Sequence, residues 1–173
     1  MLKLANTPNK QRRKVVVRLR QDKDGYPPFG FEGLWARPAE NGLWQIDNIP
    51  FYARGISNVD TVAIKEEADS GELRYRKVVQ KGGHTTLRVY FSDGDDVAST
   101  RRQLKKLGCS TEVSNLPKLV AVDVPPDAGY AEVRRCFEHS RGSACWNMKT
   151  LAFSTGDRQV DLNVSHRLDR GEA

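Results

Sequence analysis

Apolar and polar residues alternate in short runs through the first half of the chain, and only beyond residue 90 do the apolar positions take up a helical spacing. Val15-Val16-Val17-Arg18-Leu19 is rich in β-branched residues and predicts a first strand. Asp22-Lys23-Asp24-Gly25-Tyr26-Pro27-Pro28 follows as a turn, since glycine supplies positive φ and proline cannot donate to a ladder. Residues 31–37 and 43–47 flank Pro38-Ala39-Glu40-Asn41-Gly42, which predicts a hairpin whose turn ends in Asn-Gly. A long connection with apolar side chains covers 47–55, and strands over 61–66 and 73–81 meet at Asp69-Ser70-Gly71. The first half therefore predicts an antiparallel sheet or partial barrel.

Beyond this point Leu87, Val89 and Phe91 alternate with Thr86, Arg88 and Tyr90, the pattern of a strand that buries one face. Asp93-Gly94-Asp95-Asp96 offers helix caps, and Val97, Leu104 and Leu107 share one face of the helix that ends at Gly108. Strands follow over 109–114 and 118–124, the run Leu119-Val120-Ala121-Val122 implying a central strand covered on both sides. A second helix after Pro125-Pro126-Asp127 carries Tyr130, Val133 and Phe137 on one face and stops at Gly142, and residues 145–153 make a last strand. The order β-α-β-β-α-β predicts a ferredoxin-like unit. The expected class is thus α+β: a flexible basic arm over 1–13, a β subdomain over 14–85, a ferredoxin-like subdomain over 86–153 and a polar extension over 154–173.

Charge alters this picture only locally. The net charge is +6, yet Lys3, Lys10, Arg12, Arg13, Lys14, Arg18 and Arg20 stand without an acid in the first twenty residues, leaving 21 bases against 22 acids elsewhere. A nearly neutral body argues against nucleic acid, whose binders spread phosphate contacts over a folded surface. No apolar run is long enough to span a bilayer, and the amino terminus lacks the apolar core of a signal peptide, so a cytoplasmic location is expected. Three irregularly spaced cysteines, Cys109, Cys136 and Cys145, predict reduced thiols packed as small apolar groups.

Taken together, Asp24-Gly25-Tyr26-Pro27-Pro28, Leu34-Trp35-Ala36, residues 47–55, residues 83–89, Leu107-Gly108-Cys109 and Val122-Asp123-Val124-Pro125 resemble a family of small bacterial proteins grouped as domain of unknown function four-two-six-five, over roughly residues 14–150. The resemblance implies a stand-alone cytoplasmic protein, and some members resemble immunity proteins that neutralise secreted toxins. It brings no catalytic residue with it.

His84 is the leading candidate for chemistry, following Gly82-Gly83 and preceding two hydroxyl residues; a catalytic role would require an orienting carboxylate, Asp60 or Asp93, whereas a structural one would have it cap the strand end on a backbone carbonyl. Gly82-Gly83 lacks the spacing of a phosphate-binding loop and reads as a turn. Cys136 and His139 with Cys145 supply one metal-type spacing and no second pair, so no metal or cofactor is expected. Among the aromatic residues of the first half, Trp35 is expected in the core, and Phe51 and Tyr52, with Arg54, either in the core or at an interface. The expected function is a non-enzymatic immunity protein or antitoxin that binds a toxin through Phe51, Tyr52, Arg54 and His84. The alternatives are a nucleic-acid regulator using Lys10, Arg12, Arg13 and Lys14, and a small enzyme centred on His84.

Overall fold

In the computed structural model, which describes residues 12–91, 96–116 and 118–139, the five alternating segments of the first half close on themselves as a barrel. The strands are β1 (Arg13–Arg18), β2 (Phe31–Pro38), β3 (Trp44–Ile46), β4 (Thr61–Glu66) and β5 (Leu73–Gln80). Each is antiparallel to the next, but β1 and β5 pair in parallel, Val15 opposite Leu73. This is forced by an odd count: when five strands alternate in direction, the first and fifth run the same way. The expectation of an antiparallel sheet or partial barrel is corrected to that extent. Arg13, placed by the sequence at the end of a flexible arm, is the first residue of β1.

The side-chain period of two sorts the barrel residues. Val15 and Val17 of β1, Leu34 and Ala36 of β2, and Ile46, Val62 and Leu73 point inward and are buried together. Trp35 lies between Leu34 and Ala36, so it must point outward, and it is 40% exposed. The expectation of a core Trp35 is wrong for that reason; its neighbours occupy the inner face. The β2–β3 turn is a short 3-10 segment in which Asn41 and Gly42 take φ of 55° and 73°, as an Asn-Gly turn requires.

The second unit contains β6 (Thr85–Tyr90), α1 (Val97–Lys106), β7 (Ser110–Val113), β8 (Leu119–Val124) and α2 (Tyr130–His139). Its sheet has the order β6-β8-β7 with both pairs antiparallel, so β8 is central, and all six of its residues are buried. Asp96 caps α1, its carboxylate accepting from the Ser99 N–H at 2.8 Å, and Gly108 takes φ of 84° where the helix stops. One sheet face, with Leu87, Val89, Phe91, Val120, Val122 and Val124, packs against Leu104, Val133 and Phe137 of the helices. Val97 and Leu107 are only half-buried there, and Tyr130 is exposed instead of sharing the buried face of α2. Asp93, the stop at Gly142 and the strand expected over 145–153 lie outside the described residues.

The alternation makes a sharp test at adjacent positions. Leu34→Ala should lower unfolding free energy by about 3 kcal/mol by opening a cavity in the barrel, and Trp35→Ala by under about 1 kcal/mol, both read from urea denaturation midpoints.

Candidate functional site

Three connections lie at one end of the barrel: 19–30 after β1, 47–60 after β3, and 81–84 after β5. The longest, 47–60, sends Ala53 and Ile56 into the barrel core, and carries the remaining residues across to the second sheet. Its backbone is held from two sides. The Glu32 carboxylate, from β2, accepts the N–H groups of Phe51 (2.6 Å), Tyr52 (3.0 Å) and Ala53 (2.6 Å). Arg88, from β6, donates to the carbonyls of Phe51 (2.7 Å) and Ala53 (2.6 Å). The Arg88 guanidinium is buried, and burial pushes it down to about 10, opposed by the Glu32 carboxylate; it remains charged at neutral pH.

Arg88 shares its sheet face with Thr86 and, across the register, with Ala121, Asp123 and Glu112. That face is covered by the 47–60 connection. Burial raises the Glu112 carboxyl, and a hydrogen bond from the Ile49 backbone opposes the rise. The sequence pattern read one buried face in β6; Thr86 and Arg88 of the second face are buried too, and Tyr90 stays exposed.

His84 Nδ1 meets the Asp123 carboxylate at 2.9 and 3.0 Å, and Asn58 Nδ2 donates to the same carboxylate at 3.0 Å. The orienting acid is therefore neither Asp60 nor a backbone carbonyl but Asp123 of β8, nearly forty residues along the chain. Asp60 is engaged elsewhere: fully buried, it accepts from Ser57 N, Gly82 N and Lys81 Nζ at 2.9, 2.9 and 3.1 Å. Gly82 packs so closely on Val59 that an added Cβ would lie 2.6 Å from the Val59 carbonyl oxygen, and Val59 itself takes φ of 66°, a strained value for a β-branched residue. The glycine pair is a turn with a packing requirement.

Phe51 and Tyr52 are half-buried and Arg54 is exposed. The Tyr52 ring packs among Phe29, Tyr26 and Phe51, with centroids 5.5, 6.2 and 6.4 Å away. Burial raises the Tyr52 hydroxyl, and the Ser114 hydroxyl beside it opposes the shift. Phe29, which sequence reasoning did not single out, is 39% exposed and completes this cluster from the β1–β2 connection. Its signal was its place next to the Tyr26-Pro27-Pro28 turn. Cys109 is buried, which pushes its thiol up to about 11, and Cys136 is half-buried. The His139 side chain, Cys145 and Lys10 lie outside what is described. Arg12 pairs with Asp47 at 2.6 Å and Arg13 with Glu66 at 2.9 Å. Among the described residues no three His, Cys, Asp or Glu side chains converge as metal ligands, and no helix is long and apolar enough to cross a membrane.

The family described as DUF4265, a domain of unknown function, matches residues 32–148, more than half of the chain, and the chain belongs to it. A solved structure of a hypothetical protein from Neisseria gonorrhoeae shares the fold at 18% identity, with a TM-score of 0.61, over 75% of this chain and 87% of that one. No curated protein matches the sequence.

Two outcomes follow from the geometry. Arg88→Met should destabilise the fold by about 3 kcal/mol or more in urea denaturation, because one buried and one part-buried carbonyl and the Glu32 carboxylate lose their cation together. Cys109 should resist alkylation in the folded protein at mildly alkaline pH and react once unfolded, as mass spectrometry of the peptide would show. Its raised thiol also contributes stability that is present below the ordinary value of 9.0 and lost as pH rises towards about 11.

Proposed function

We propose that this member of the DUF4265 family is a non-enzymatic protein-binding module, an immunity protein that neutralises a bacterial toxin through Phe29, Phe51, Tyr52 and Arg54. The observation that supports it most is the two-sided hold on residues 51–53, N–H groups on Glu32 and carbonyls on Arg88. Ordering a loop residue costs roughly 1–2 kcal/mol, and here that cost is met on folding and not on association. Aromatic side chains and arginine are the residue types that dominate interface energy, and Phe29 and Arg54 stand exposed on this pre-ordered support.

His84 fits this reading as a positioning residue, because its carboxylate partner Asp123 is also the acceptor for Asn58 of the connection. The Cys109 thiol stays protonated at neutral pH and is a poor nucleophile. We read the second unit as ferredoxin-like, its β-α-β-β-α order and β6-β8-β7 sheet agreeing with that fold up to the strand that the sequence assigns to 145–153. We read the protein as cytoplasmic.

The test is co-expression with the product of the adjacent reading frame, measuring complex formation and cell survival. Phe29→Ala and Arg54→Ala, each shown folded by circular dichroism, should weaken the complex by about thirtyfold. Variants that bind and protect like wild type would remove this surface from consideration, and a neighbouring product that is harmless without this protein would sink the toxin reading.

A further inference from the structure

The basic residues of β1 sit on the folded surface, and what they share it with suggests a ligand. The outer face of the barrel at β1 and β2 pairs Lys14 with Trp35 and Arg18 with Phe31 across the register. Phe31 is 55% exposed and Trp35 40%, so two aromatic side chains are partly open to solvent on one strand, four residues apart. At a strand rise of about 3.4 Å per residue their Cα atoms are roughly 13 Å apart. Lys14 Nζ lies 5.4 Å from the Trp35 ring centroid and Arg12 Cζ 5.5 Å from it. Gly33, between the two rings, leaves the face low at its middle, where only the Lys14 stem approaches an added Cβ, at 3.4 Å. On the adjoining strand Arg74 stands opposite Val16, and Arg76, the extra residue of a bulge against β4, follows two residues on and is exposed.

Acids neutralise part of this array. Asp47 takes both Arg12 and Arg37, and Glu72 takes Arg74 at 2.8 Å. Among the described residues Lys14, Arg18 and Arg76 have no carboxylate partner. The face thus offers two partly exposed rings, Phe31 and a Trp35 over which Arg12 and Lys14 lie, beside unneutralised cations, the combination by which single strands are held: bases stack on the rings and phosphates meet the cations. A duplex keeps its base faces stacked internally, and an acidic peptide has no flat rings to lay on Trp35.

We propose that this face, formed by Lys14, Arg18, Phe31, Trp35 and Arg76, binds single-stranded nucleic acid. The surface is distinct in its residues from the Phe29, Tyr52 and Arg54 surface, so either reading can fail alone. Lys14 and Arg18 belong to the acid-free first twenty residues and are not part of the near-neutral remainder; they join the body's surface because β1 is built into the barrel.

The experiment is fluorescence anisotropy of a labelled oligouridylate and an oligothymidylate with the full chain, across a salt series. Binding should weaken with salt, and Lys14→Gln and Arg18→Gln should each reduce the log–log slope by about 0.7. Trp35→Ala should weaken binding about tenfold or more, and Trp35→Phe, which keeps a stacking ring, should restore most of it. No binding at low salt would overturn the proposal. So would an affinity that Trp35→Ala leaves unchanged, which would assign binding to bases off this face, or competition by polyglutamate as effective as by unlabelled oligonucleotide, which would mark the face as one for acidic protein.

Discussion

A single buried cation decides how the two halves of this molecule meet. Arg88 belongs to the second sheet, yet both of its described hydrogen bonds go to carbonyls of the barrel's longest connection. A guanidinium in such a place is tolerable only if its donors are used and a negative charge is near. The carbonyls of Phe51 and Ala53 supply the first condition and Glu32 the second. Because Glu32 simultaneously holds the N–H groups of these two residues and of Tyr52 between them, the connection becomes a bridge between an acid on β2 and a base on β6. Without Glu32 the buried Arg88 loses its nearby negative charge, and without Arg88 the Phe51 and Ala53 carbonyls lose their donor.

A second contact between the units repeats this logic with smaller groups: Asp123 of β8 gathers His84 and Asn58. Asp60, within the first unit, gathers Lys81, Gly82 and Ser57 and so ties the connection to the exit from β5. Charged side chains, Arg88 and Asp123, carry hydrogen bonds across this join, and Ile49 of the connection and Ala121 of the sheet are buried. Directional bonds of this kind fix orientation more tightly than an apolar contact of equal area.

How much of this was legible in the sequence depends on the range of the interaction. Each described strand and helix announced itself by spacing, since period two at Leu87, Val89 and Phe91 and the helical face of Leu104 are local facts. The Asn41-Gly42 turn and the Gly108 stop were legible for the same reason. Barrel closure was not, because it depends on β1 finding β5. Trp35 misled because its size suggested the core, whereas its parity put Leu34 and Ala36 there instead. Arg88 read as the solvent side of a strand, since nothing adjacent to it shows that residues 51–53 will cover it. Asp123 as the partner of His84 lay beyond reach as well: it is one of several acids, and only the β6–β8 register brings it near.

The parallel seam between β1 and β5 sets the order in which the molecule can be built. The first strand of the barrel has its closing neighbour only after four others are in hand, and Arg13 and Gly71, which bond across that seam, are 58 residues apart. A chain emerging from a ribosome therefore carries β1 with one edge open until β5 has been synthesised, and loop-closure entropy delays the seam further. An open strand edge is the place where chains join wrongly. Lys14 and Arg18, pointing outward from β1, give that exposed edge a like-charge repulsion towards its own copies while it waits.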